Sequence, residues 1–149
     1  MTEVRFYHLQ KQTLDQALPQ ILTKALSIGH RIVVKLGSKD SVEHMNKHLW
    51  TYRQDSFLPH GSAKDGHAEY QPIWLTAEND NPNNADLLVT GGGAIPDSIE
   101  DYKLCCEFLD GFDDDAITQA RERWKSYKDK GFEVTYWQQD DKGAWNKKA

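Results

Sequence analysis

Cysteine is nearly absent from this sequence, and its two cysteines lie together. Cys105 and Cys106 are adjacent, and no CxxC spacing occurs. Neighbouring residues on a strand point to opposite faces, so a disulfide bond between these two would be strained. The pattern therefore predicts reduced thiols in a cytosolic, cytoplasmic protein. No signal peptide is expected, and no apolar stretch approaches the roughly 20 residues that span a bilayer.

Positive charge is not in excess either, because the 149-residue chain has a formal net charge of −5. A general nucleic-acid binder usually has a basic surface, so this balance argues against that class while allowing a local basic patch. Catalytic signatures are also missing. The chain has no GxSxG motif, no HExxH motif, and neither GxGxxG nor GxxxxGK[ST] for binding phosphates. The motif scan therefore gives no support to these particular reaction classes.

A run of glycines after a predicted strand is the place where a phosphate-binding loop has to be considered. The run is Thr90-Gly91-Gly92-Gly93, and the residues that follow it are Ala-Ile-Pro, which do not start a helix with free amides. A surface turn shaped by glycine is the favoured interpretation. The alternative function that remains open is a small nucleotide-binding or phosphoryl-transfer enzyme using the turn at Gly91, Gly92 and Gly93.

Two histidines raise the question of a metal site. His44 and His48 are four residues apart on a predicted helix, a spacing that can bind zinc. A third ligand is not evident, because His60 and His67 fall in a loop without a matching signature. We therefore expect exposed histidines, and neither a metal nor a cofactor is predicted.

The start of the chain has a β-α-β pattern. Residues 4–9 are typical of a strand, Thr13 can cap a helix that ends at Gly29, and residues 31–36 form a β-branched, buried strand. Pro19 falls inside the helical pattern. Because proline lacks a backbone N–H, it is expected to split or kink the helix.

A second helix is capped by Ser38 or Asp40 and runs to about Trp50 or Tyr52. The remaining strands are predicted at residues 73–76, 86–90, 102–109 and 132–137, with a last helix opened by Asp113, Asp114 and Asp115. This order predicts a single α/β domain over residues 1–137. Its sheet is doubly wound and mostly parallel with helices on both faces, a Rossmann-like three-layer α/β/α architecture. Residues 138–149 are expected to form a polar C-terminal tail.

The last helix is amphipathic and has a basic stripe. At 100° per residue, one apolar arc of the helix contains Ile117, Ala120, Trp124 and Tyr127. The adjacent basic arc contains Arg121, Lys125 and Lys128. A solvated face with cations near a helix C-terminus is the simpler interpretation. The functional one is a site for a short acidic peptide that contains an aromatic residue. It needs apolar partners from elsewhere, and Trp50 and Phe57 are the candidates.

Several ordered segments resemble one known family. They are Phe6-Tyr7, His48-Leu49-Trp50, Asp55-Ser56-Phe57-Leu58-Pro59-His60, Asp86-Leu87-Leu88-Val89, Phe108-Leu109-Asp110-Gly111, and Ala120-Arg121-Glu122-Arg123-Trp124-Lys125-Ser126-Tyr127 with Gly131-Phe132. Together these segments resemble the chi subunit of bacterial DNA polymerase III, in order from residue 3 to about residue 137.

The resemblance implies a non-catalytic accessory subunit of the replicative polymerase with an α/β fold. Chi subunits belong to the clamp-loader assembly, usually with the psi subunit, and bind the acidic, Phe-terminated C-terminal tail of single-stranded DNA-binding protein. Contact with DNA is then mainly indirect, and no membrane is involved. The resemblance carries over these peptide-binding positions: Trp50, Phe57, Arg121, Trp124, Lys125 and Lys128. Some relatives have Tyr at position 124 and Arg at position 128, which keeps aromaticity and charge. No residues are assigned to psi.

Overall fold

The computed structural model of the protein describes residues 2–51, 59–96 and 98–148. Eight strands are assigned in this part of the chain: β1 (Glu3–Leu9), β2 (Ile32–Lys35), β3 (Gly61–Ser62), β4 (Ile73–Thr76), β5 (Leu87–Thr90), β6 (Leu104–Asp110), β7 (Glu133–Gln139) and β8 (Trp145–Lys147). The helices are α1 (Leu14–Ile28), α2 (Lys39–Thr51) and α3 (Asp114–Asp129), with a short 3₁₀ turn at Ala68–Tyr70. None of the described helices has the length and apolarity needed to cross a bilayer.

The strands form one sheet in the order β3-β4-β2-β5-β6-β1-β7-β8. All neighbouring pairs are parallel except β7 and β8, which are antiparallel. The central strands are short β-branched or aliphatic runs, as expected for strands covered on both faces. The predicted mostly parallel α/β sheet is therefore confirmed.

The two faces of the sheet are covered by different helices. Helices α1 and α2 pack on the face that includes Ile32 and Val34, whereas α3 packs on the face that includes Val33. We call these the α1/α2 face and the α3 face. The adjacent thiols follow the same alternation, because Cys106 lies on the α1/α2 face and Cys105 on the α3 face, both unbridged and buried.

Helix α1 begins with a capping box and ends at a left-handed glycine. The Thr13 side chain accepts from the backbone of Gln16 while the Gln16 side chain accepts from the backbone of Thr13, and Gly29 has φ 103°. The predicted split at Pro19 is wrong, since α1 continues through it. Proline leaves the carbonyl four residues earlier, on Asp15, without its helical donor, and His48 Nε2 of α2 lies 2.6 Å from that oxygen.

The C-terminal segment belongs to the sheet. Strand β7 extends to Gln139 and β8 pairs with it, so the predicted domain boundary at residue 137 falls inside a strand. Trp145 packs edge-on against Tyr7 at a centroid distance of 4.9 Å and against Phe108 at 6.3 Å. Composition made the segment look like a polar tail because Trp145 is its single aromatic residue.

Candidate functional site

A cavity of about 270 Å³ lies between α3 and the sheet. Its walls are almost entirely apolar, with one cation among the lining residues, which are Phe6, Leu109, Ile117, Ala120, Arg121, Trp124 and Tyr136. We call this space the α3 cavity. A concave apolar site with a few polar groups is the usual form of a ligand site.

The fold brings these residues together through three adjacent strands and one helix face. Strands β6, β1 and β7 are neighbours in the sheet and contribute Leu109, Phe6 and Tyr136. Helix α3 begins at the N-cap Asp113, whose side chain accepts from the amides of residues 115 and 116, as the sequence predicts. The predicted apolar arc of α3 faces the sheet, with Ala120 and Tyr127 buried and with Ile117 and Trp124 partly buried against the same core.

Trp124 forms the aromatic centre of the cavity. Its ring centroid lies 5.8 Å from that of Phe6 and 6.2 Å from that of Tyr136. Lys128 Nζ lies 4.8 Å from the centroid of Trp124, a cation–π distance. Arg121, Lys125 and Lys128 are all exposed. The structure thus brings together four of the six predicted site residues on one surface.

A buried ion pair fixes the orientation of α3. Arg123 Nε donates to Glu107 Oε1 at 2.9 Å, and Glu107 on β6 is 1% exposed. Burial raises the pKa of Glu107, while the charge and hydrogen bond of Arg123 act to lower it. Helix periodicity places Arg123 on a different side of α3 from Arg121, Lys125 and Lys128, so the ion pair leaves those three cations exposed.

Two residues that adjoin the cavity, His8 and Tyr136, were not assigned to the site from the sequence. Tyr136 hydrogen-bonds through its hydroxyl to Nδ1 of His8 on β1. Burial lowers the pKa of His8 and so does the charge of Arg121, whereas the backbone of Gly111 and the charge of Asp110 raise it. Strand alternation puts Phe6 and His8 on one face, but only the register of β1 with β7 brings Tyr136 beside them. That register is not readable from the sequence.

Trp50 does not join this surface, and the predicted convergence of Trp50 with the basic helix is wrong. Helix α2 packs on the α1/α2 face against β3 and β4, whereas α3 packs on the opposite face against β6 and β7. Trp50 is 49% exposed, and its ring centroid is 4.4 Å from that of His60. Phe57, the other predicted apolar partner, lies outside the described residues.

The direction of the crossovers explains this separation. The connections from β1 through α1 to β2, and from β2 through α2 to β3, run the same way across the sheet. The connection from β6 through α3 to β7 runs the opposite way. Right-handed crossovers that run in opposite directions place their helices on opposite faces.

The glycine turn is packed against the rest of the chain. A Cβ at Gly37 would collide with the carbonyl oxygen of Gly92, and one at Gly91 would lie 2.7 Å from the Leu14 side chain. The Gly91 amide already donates to the carbonyl of Lys35. The glycines therefore permit a close approach between two chain segments, and this arrangement lends no support to a phosphate-binding loop.

The two histidines predicted on the second helix, His44 and His48, both contact Asp15 of α1. His44 Nε2 lies 2.6 Å from the Asp15 carboxylate, next to the contact of His48 with the Asp15 carbonyl. Both contacts join α2 to the start of α1. His44 is exposed and His48 is half-buried. Within residues 2–51, 59–96 and 98–148, no group of three or more His, Cys, Asp or Glu residues is arranged to hold a metal ion.

Comparison with known proteins gives a consistent family. The model of the family described as DNA polymerase III chi subunit, HolC, matches residues 1–135. The chain is 35% identical over 89 residues to a probable DNA polymerase III subunit chi of Rickettsia prowazekii, covering 60% of this chain and 54% of that protein. It is 24% identical over 136 residues to DNA polymerase III subunit chi of Pseudomonas aeruginosa, covering 89% of this chain and 93% of that protein. The chain thus spans about half the length of the Rickettsia relative.

Proposed function

Because this chain belongs to the DNA polymerase III chi subunit family, we propose that it is a non-catalytic accessory subunit that binds the acidic tail of single-stranded DNA-binding protein. It links that protein to the clamp loader of the replicative polymerase, in the cytoplasm. The psi subunit or another clamp-loader component is the second partner. Contact with DNA is mainly indirect, in keeping with the net charge of −5.

The observation that carries this proposal is an apolar cavity with Arg121 in its lining and with Lys125 and Lys128 exposed on the same helix. The phenyl ring of a C-terminal phenylalanine enters the α3 cavity and packs against Trp124. Its free carboxylate meets Arg121, whose planar guanidinium can form two parallel hydrogen bonds to a carboxylate. Acidic residues upstream in the peptide meet Lys125 and Lys128. The apolar walls thus suit the aromatic ring of one short peptide, and the neighbouring cations suit its terminal carboxylate and its acidic residues.

The expected affinity is modest. A short peptide buries little surface, so a dissociation constant of roughly micromolar order is expected. The cations are exposed, so added salt weakens the interaction by screening.

Calorimetry with an acidic peptide ending in phenylalanine tests the site. Arg121→Ala is expected to weaken binding by about 1–3 kcal/mol because the terminal carboxylate loses its partner. Lys24→Ala is the matched control, since Lys24 is an exposed cation on α1 and the opposite face. A peptide with an amidated C-terminus should lose a similar amount against the wild-type protein.

Two results would contradict the proposal: no binding of the free-acid peptide to the wild-type chain, or equal binding by Arg121→Ala and wild type. The enzyme alternative has its own readout, a thermal-shift screen with ATP and NAD. A raised midpoint with a nucleotide, and none with the acidic peptide, would favour an enzyme that uses the turn at Gly91, Gly92 and Gly93.

A further inference from the structure

One polar pair adjoins the α3 cavity without a role in the peptide contacts described above. Tyr136 lines the cavity, and its hydroxyl hydrogen-bonds to Nδ1 of His8 on the neighbouring strand. The imidazole is largely buried, with His8 9% exposed. Its other nitrogen, Nε2, lies against the backbone of Gly111, where a Cβ would collide with it. Both ring nitrogens therefore have neighbours fixed by the fold.

Tyr136 and the Gly111 backbone determine which ring nitrogen of neutral His8 carries the proton. The backbone hydrogen bond of Gly111 raises the pKa of His8, which is the action of a carbonyl acceptor. A neutral imidazole has one donor and one acceptor nitrogen. With the proton on Nε2, which lies beside the Gly111 backbone, Nδ1 accepts the hydroxyl proton of Tyr136. In this state the only proton of the hydroxyl points away from any ligand.

A proton from solvent reverses this arrangement. Once Nδ1 is protonated, it donates to the Tyr136 oxygen, and the Tyr136 O–H becomes free to donate to a group in the cavity. One proton is gained, and the proton on Nε2 stays in place. Arg121 and Tyr136 both line the α3 cavity, so the freed hydroxyl and the guanidinium face the same space.

We propose that a ligand carboxylate bound to Arg121 is also recognised by the His8–Tyr136 pair, so that capture of an acidic peptide is accompanied by uptake of a proton at His8. This inference rests on the proposed function, because it concerns the same peptide in the same cavity. It adds a specificity element for the terminal carboxylate and makes the affinity depend on pH through the titration of His8.

The charges around His8 give the sign of that dependence. The groups that face it are Arg121 from α3, Asp110 and the Gly111 backbone at the end of β6, and Tyr136 from β7. In the free protein, burial and Arg121 lower the pKa of His8. A carboxylate on Arg121 offsets that cation, so the pKa of His8 is higher in the complex. Affinity therefore increases as pH falls through the pKa of the complex, and it levels off below the pKa of the free protein.

The test is calorimetry on the full chain with a Phe-terminated acidic peptide between pH 8 and pH 6 at constant ionic strength. Wild type is expected to bind several-fold more tightly at pH 6 than at pH 8, because the pKa of His8 is higher in the complex than in the free protein. Titrations in two buffers of different ionisation enthalpy should show uptake of up to one proton.

His8→Gln should bind with a flat pH profile, and Tyr136→Phe should lose most of the gain at low pH. His44→Gln, on the opposite face, should behave as wild type.

The outcomes separate this inference from the proposed function. If His8→Gln or Tyr136→Phe keeps the full wild-type pH profile, the inference is overturned while peptide capture stands. If the wild-type chain binds no peptide at any pH, the proposed function fails and the inference with it. Should a variant fail to fold, titration of the wild-type His8 imidazole by NMR decides instead. A higher pKa with peptide supports the inference, and an unchanged pKa overturns it.

Discussion

Trp124 and Trp50 are two tryptophans on helices that carry exposed cations, yet the fold gives them different surroundings. Trp124 is half-buried, packed between Phe6 and Tyr136, and borders a cavity. Trp50 lies at the end of α2 on the opposite face and contacts His60. The comparison shows that an aromatic residue beside cations is not enough to predict a peptide site. What matters is whether neighbouring strands supply the other walls of a cavity.

The largest expected effect is the loss of unfolding free energy when the ion pair between Arg123 and Glu107, which holds the helix of Trp124 on the sheet, is removed. Arg123→Ala leaves Glu107 buried without its ion-pair partner, and such a loss costs about 3–5 kcal/mol of unfolding free energy. Urea denaturation measures it. Glu122→Ala, an exposed neighbour on the same helix, should change the unfolding free energy by less than about 0.5 kcal/mol. A small effect of Arg123→Ala would mean that the ion pair does not anchor α3.

A second experiment contrasts the two tryptophans directly. Trp124→Ala removes a wall of the α3 cavity and should weaken peptide binding by about 2 kcal/mol. Trp50→Ala, on the opposite face, should leave peptide binding within about 0.3 kcal/mol of wild type. Calorimetry with the same Phe-terminated peptide provides both values. If Trp50→Ala weakened binding as strongly as Trp124→Ala, the division of roles between the two faces would be wrong.

The smallest expected effect distinguishes the cations near each tryptophan. Lys128→Ala removes a charge positioned over the Trp124 ring and should weaken peptide binding by about 0.5–1 kcal/mol at low salt. Lys47→Ala removes an exposed cation from α2, near Trp50 in sequence, and should have no measurable effect. The Lys128→Ala difference should shrink as salt is added, because the charge is exposed. A difference that stays constant up to high salt would contradict this electrostatic explanation.

The sequence predicted what depends on local patterns. The Asp113 cap, the Gly29 end of α1 and the apolar arc of α3 all follow from short-range rules, and all are confirmed. Cys105 and Cys106 were correctly predicted to point to opposite faces, because alternation along a strand requires no knowledge of the fold.

What the sequence did not predict depends on pairing between distant segments. The contribution of Tyr136 and His8 to the site depends on the register of β1 and β7. The separation of Trp50 from α3 follows from strand order, which sets the direction of each crossover. Helix α1 continues through Pro19, and His48 from a second helix contacts the carbonyl left without a helical donor. Each of these facts involves residues far apart in the chain.

The short strands at the edges of the sheet affect how the protein resists aggregation. In the described part of the chain, the outermost strands are β3, with two residues, and β8, with three, whereas β1, β6 and β7 each have seven. A long unpaired edge is a template on which another polypeptide can add a strand. Here β3 and β8 themselves offer only a few donors and acceptors, and β8 ends in the charged Lys147. A second copy that paired with either of these strands would therefore gain few backbone hydrogen bonds.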